Sequence, residues 1–155
     1  MKLFRQTRTE FSDGVIDMRP VEPAPSHPML GFSRIYEWSV VLRDARHEIG
    51  RVCYRDSEGR GIYYFGHIGY HIDEPYRGHS YSLAACRLIL PAVRMSGKST
   101  IVITCDSDNA ASIRICEKLG CITERLVPVP EDIARTFETG SMKQRFVLEV
   151  RPVWR

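Results

Sequence analysis

A chain of 155 residues has room for one domain with a full core, and its hydrophobic and charged fractions, 43% and 26%, are those of a globular protein in water. A net charge of +3 is too small to argue for nucleic acid, though it suits an anionic ligand in a local basic pocket. No apolar run is long enough to span a bilayer, Met1 to Arg5 lacks the apolar centre of a signal peptide, and five dispersed cysteines without a Cys-x-x-Cys pair point to reduced thiols in a cytoplasm.

Gly14 to Pro20 alternates weakly and reads as a first strand. Val21 to Ser33 carries Pro23, Pro25 and Pro28 and reads as a loop with at most one helical turn. Ile35 to Leu42 is a strong strand, Arg43 to Glu48 a charged turn, and Ile49 to Tyr54 the next strand. Asp56 to Gly61 reads as a hairpin loop leading to a central strand over Ile62 to Ile72. Pro75 stops that strand, and Tyr76 to Ser82 leads into a helix from about Ser80 to Ser96, with Pro91 set to kink or shorten it. Thr100 to Thr104 has the uncharged centre of a buried strand. Asp106 to Asn109 supplies capping chemistry for a second helix, Ala110 to Leu119, ended by Gly120. Cys121 to Val127 and Arg145 to Val150 read as closing strands, joined by a connection holding Pro128, Pro130, Glu131, Asp132 and Gly140. This order describes a single α/β domain over residues 1–155.

The stretch Gly66 to Leu90, GHIGYHIDEPYRGHSYSLAACRLIL, is the centre of the reading. A strand, a small-residue turn and a helix start leave several backbone N–H groups unpaired, with the helix dipole behind them. Such a turn suits a phosphate or pyrophosphate. Arg77, Ser80 and Ser82 stand at the key places of Arg/Gln-x-x-Gly-x-Gly/Ala, and Asn109-x-x-Ser112 leads into Cys116-Glu117-Lys118-Leu119-Gly120. Together the two motifs resemble the acyl-CoA-binding core of the GNAT superfamily of N-acetyltransferases. Ser80 replaces a glycine of that pattern, and a serine serves easily only with φ below zero.

The resemblance implies an acyl-CoA N-acyltransferase fold: a mixed central sheet of about six to seven strands with helices on both faces. It implies acetyl-CoA as acyl donor, held by backbone groups of Tyr70, His71, Ile72 and Asp73 and by the turn Arg77, Gly78, His79, Ser80, Tyr81, Ser82 and Leu83. Arg77, His79, Arg114 and Lys118 are the cations that could face the phosphates, and Arg77 is favoured because its loop is defined by phosphate geometry. It implies that Asn109 and Ser112 border the pantetheine arm, although Asn109 also reads as an ordinary helix cap. The family carries two helices after its first strand. Here Val21 to Arg34 is short and proline-rich, so no acceptor-binding role transfers to it.

The proton chemistry departs from the family. Cys116 stands where the family has a tyrosine that protonates the leaving thiolate. A thiol of pKa ~8.5 could donate, but a small buried hydrophobe explains the residue as well. His67 and His71, an even number apart on a strand, are expected on one face, with His67 as candidate base and Glu37 as its rival. A metal held by His67, His71 and His79 would lack a close cysteine to complete the set, so no metal is expected. The expected activity is direct transfer of an acetyl group to an amine of a small molecule or protein. The alternative is a CoA-binding or regulatory module without turnover. Neither nucleic acid nor membrane is an expected partner, and a homodimer is compatible with the sequence.

Overall fold

Alternating apolar residues build the strands, and the places where alternation stops position the site. The computed structural model describes residues 10–151; the reading of Met1 to Arg5 lies outside them. The elements run β1 (Phe11–Ser12), β2 (Ile16–Val21), β3 (Ile35–Leu42), β4 (His47–Arg55), α1 (Arg60–Phe65), β5 (Ile68–Ile72), α2 (Tyr81–Met95), β6 (Thr100–Asp106), α3 (Ala110–Leu119), β7 (Ile122–Pro128), α4 (Glu131–Thr136) and β8 (Met142–Glu149). Short 3-10 turns at Pro28–Leu30 and Glu74–Tyr76 fill the first long loop and the turn after β5.

The α/β architecture expected from the sequence is present, with its sheet in two parts. β1 to β5 form a five-stranded antiparallel meander, and β6, β8 and β7 form a three-stranded sheet with β8 in the middle. The core lies between these sheets and the inner stripes of α2 and α3. Trp38, Val40, Val52, Tyr54 and Ile68 meet Ala85, Cys86, Ile89 and Val93, while Ile101, Ile103 and Phe146 close it from the second sheet. α2 runs through Pro91 without ending. The proline is exposed, so its ring and the hydrogen bond it removes lie on the solvent side.

The two sheets touch between the end of α1 and the start of β5. Gly66 takes φ 75°, and a Cβ there would sit 2.8 Å from Val102 O, so only glycine lets β6 come this close. The next residue fastens the contact. His67 N–H donates to Val102 O at 2.7 Å, and Val102 N–H donates to His67 Nδ1 at 2.9 Å. Past this junction a cleft opens between β5 and α3.

One expectation fails here. Ile62 to Phe65 is helical, and the central strand is shorter than Ile62 to Ile72. Its β-branched and aromatic residues favour a strand locally, but Gly59 and Gly66 both take positive φ and bracket a single helical segment. Gly61 lets that segment pack closely, since a Cβ there would meet Leu30 O at 2.4 Å. Arg60 then reaches Asp132 of α4 at 3.2 Å. Tertiary contact overrides propensity in this stretch.

Candidate functional site

The cleft is a cavity of about 490 Å³. Tyr70, His71 and Ile72 of β5 form one wall. Asn109, Ala111, Ser112, Arg114, Ile115 and Lys118 of the α3 segment form the other. Its far end is closed by Tyr76, Arg77 and Gly78 and by Ser80 to Leu83 at the start of α2. Among the described residues no carboxylate lines it, whereas Arg77, Arg114 and Lys118 do. Arg114 and Lys118 are four residues apart and therefore one turn apart on one helix face.

The backbone around the cavity is arranged to bond a ligand. Asp73 N–H donates to Ile49 O and Arg55 N–H to His67 O, so the odd-numbered residues of β5 face β4. Alternation then turns the N–H and C=O groups of Tyr70 and Ile72 toward the cleft. Arg77 Nε takes the Ile72 carbonyl at 2.8 Å, which holds the turn in place. At the start of α2 no side chain caps the helix. The first-turn amides there face the cavity with the helix dipole behind them.

Ser80 departs from its expectation. It lies at φ 61°, in the left-handed region, outside the negative φ in which a serine serves easily. The turn keeps the shape a glycine would give it, and the serine bears the strain.

The His79 ring lies tilted against Tyr81 with centroids 5.3 Å apart, and Asp73 pairs with His71 Nε2 at 3.4 Å; His79 and Asp73 are not lining residues. Asn109 caps α3, its Oδ1 accepting from Ser112 N–H at 3.1 Å. Across the cleft the Tyr70 hydroxyl is hydrogen-bonded to the Ser112 hydroxyl.

The comparisons with known proteins bear on this cleft. The model of the Acetyltransferase (GNAT) domain matches residues 11–122, which hold both walls of the cavity. This chain belongs to the GNAT family. Its structure is similar to a ribosomal-protein-S5-alanine acetyltransferase from Vibrio fischeri, with TM-score 0.63 and 15% identity over 92% of this chain and 97% of that one. It is similar to a ribosomal L7/L12 alpha-N-protein acetyltransferase in complex with coenzyme A, with TM-score 0.66 and 12% identity over 92% and 98%. It is also similar to a GCN5-related N-acetyltransferase from Brucella melitensis, with TM-score 0.63 and 13% identity over 92% and 79%. At such identities the solved structures speak for the fold alone. No curated protein matches the sequence.

The catalytic candidates of this GNAT chain are not gathered in the cavity. His67 is buried at the sheet junction, Nδ1 accepting from Val102 N–H and Nε2 lying 3.4 Å from Glu58 Oε1. Burial holds its pKa below the usual histidine value, against the pull of Glu58. His71, by contrast, is exposed, so the two histidines do not share an environment. Glu37 lies on the polar face of the first sheet, with Arg51 Nη1 donating to it at 3.1 Å. It is in one cross-strand row with Cys53 and Gly69. Cys116 is fully buried and does not line the cavity. The Cys121 thiol beside it and burial push its own thiol far above the ordinary range.

Ala111, Ile115 and the side chain of Tyr70 are lining residues the sequence reading did not single out. Helical spacing from Asn109 would have found the first two, since Ala111, Arg114, Ile115 and Lys118 share one face. Tyr70 and Ser112 are 42 residues apart, and no local pattern joins them. Among the described residues no group of His, Cys, Asp or Glu could hold a metal, and no helix is long and apolar enough to cross a membrane.

Proposed function

We propose that this GNAT protein is an acetyl-CoA-dependent N-acetyltransferase that transfers its acetyl group directly to an amine. One observation carries the reading: an uncapped helix start and three cations converge, with no carboxylate among the described residues, on one cleft between β5 and α3. The pyrophosphate would take the amides of Gly78 to Leu83, with Arg77, Arg114 and Lys118 near the charged end of the coenzyme. The pantetheine arm would pair with the backbone groups of Tyr70 and the N–H of Ile72, much as an added strand does. The acyl group would then lie toward the junction at His67, where the amine attacks and CoA leaves as a thiol. Much of the rate would come from positioning.

The amine must be neutral to attack. Of the two expected bases, Glu37 suits the task better, acting through water from the polar sheet face. His67 already uses its acceptor nitrogen on Val102. The acceptor is an amine of a small molecule or a protein; protein amines are named for two of the similar structures. The five free thiols fit a reducing cytoplasm.

A second reading is a CoA-binding module without turnover, favoured by a buried Cys116 where the family carries tyrosine. Free CoA measured chromatographically, with acetyl-CoA and a panel of amines, separates the two. Release that depends on an amine is expected. Binding of acetyl-CoA with no release for any amine would leave the module.

A further inference from the structure

An acyl thioester that loses its acyl group leaves a thiolate, and the donor that meets this thiolate must stand at the acyl end of the cleft. Cys116 does not: it is fully buried and absent from the cavity lining. The hydroxyls of Tyr76, Ser80, Tyr81 and Ser82 are at the other end, beside the start of α2. β5 runs from the sheet junction at His67 toward that helix start. Tyr70 is therefore the lining residue nearer the junction, and its phenol crosses the cleft to Ser112 on α3. Ser112 is one helical turn before Cys116, so the phenol reaches the same helix stripe from the opposite wall.

We propose that the Tyr70 hydroxyl is the proton donor to the departing CoA thiolate, and that Ser112 positions it. The inference rests on the acetyltransferase reading of this cleft. Pantetheine entering between β5 and α3 separates the two hydroxyls and brings its sulfur to the phenol. The amine nitrogen forms the new bond to the acyl carbon, and the C–S bond breaks with its electron pair passing to sulfur. The Tyr70 Oη proton moves to sulfur, and the nitrogen gives up its extra proton to water or to Glu37. Ser112 turns its hydroxyl to donate to the phenolate, which regains a proton from water as CoA leaves.

Tyr70→Phe keeps the ring and its packing and removes only the hydroxyl. The probes are acetyl-CoA, spermidine and a short lysine peptide with a free α-amino group. Free CoA is quantified, and CoA affinity is measured by calorimetry. Loss of a positioned acid lowers kcat ~10²-fold or more, with CoA affinity held within about threefold. Ser112→Ala should lie between this variant and the wild type, because the phenol remains but loses its orientation. A Tyr70→Phe kcat within about threefold of wild type, alongside unchanged CoA binding, overturns the proposal while leaving the acetyltransferase reading intact. A wild-type protein that binds CoA and releases none with either probe overturns both.

Discussion

Ser80 and Cys116 mark the two places where this chain departs from the residues its family motifs call for, and in both the structure absorbs the change differently. Ser80 holds a left-handed conformation at φ 61°. Such a conformation costs ~1–2 kcal/mol for a residue with a Cβ, and glycine's greater loss of entropy returns ~0.5–1 of it. Ser80→Gly is therefore expected to stabilise the fold by about 0.5–1 kcal/mol in denaturant titrations without weakening CoA binding. A loss of stability would mean that the serine makes a compensating contact. Cys116 fits its site by being small. A phenol has no room among Cys86, Ile89, Cys105 and the rest of the core, so Cys116→Tyr should cost ~1–3 kcal/mol by overpacking and should not raise activity. A stable, faster Cys116→Tyr enzyme would show that the cleft reaches this position after all.

At the scale of the elements, the junction of β5 and β6 depends on one imidazole. His67→Ala leaves a half-buried Val102 N–H without its acceptor, which should cost ~1–3 kcal/mol before any cavity is counted. The same residue gives the junction a pH dependence of known sign. Burial lowers the folded-state pKa of His67, so the unfolded chain binds a proton more readily. The stabilisation is whole above the unfolded value of ~6.5 and is lost as pH falls from there through the lower folded value. Glu58, itself held low by Lys98, faces the ring and opposes the shift. His67→Asn can still accept from Val102 and does not titrate; its stability should change less between pH 7.5 and 5.5 than that of the wild type. An identical slope in the two proteins would place the titrating group elsewhere. None of this was legible in the sequence, because a side chain that substitutes for a strand neighbour leaves no periodic trace. The elements with strong periodicity were legible: Ile35–Leu42 and Ala110–Leu119 lie where their patterns put them. Ile62 to Phe65 misled because its strand-like residues are held helical by glycines and by contacts distant in sequence. The start of α4 was readable after the fact, with Pro130 before it and a Glu131–Arg135 pair at 2.6 Å across one turn.

At the scale of the whole molecule, β5 of the first sheet and α3 face each other across a cleft that a coenzyme would bridge. A ligand bound on both walls stabilises only the native state. Acetyl-CoA at a hundred times its Kd should add ~2.7 kcal/mol, which for a chain of this size is a rise of ~5–10 °C in Tm. The pocket was legible in part, because Arg77 to Leu83 and Asn109 to Ser112 are local motifs. The contact of Tyr70 with Ser112 was not, because it exists only once β5 and α3 face each other. The most direct test of the account is calorimetric titration of acetyl-CoA into the wild type and into Ser82→Asp. A carboxylate in the first turn of α2 favours the helix dipole, so the variant should be as stable as the wild type or more so by ~0.3–1 kcal/mol. The same carboxylate would repel a pyrophosphate from the amides around it, and affinity should fall tenfold or more, equivalent to at least ~1.4 kcal/mol. Unchanged affinity in a folded Ser82→Asp protein would contradict the account, because the coenzyme could not then be seated on the start of α2.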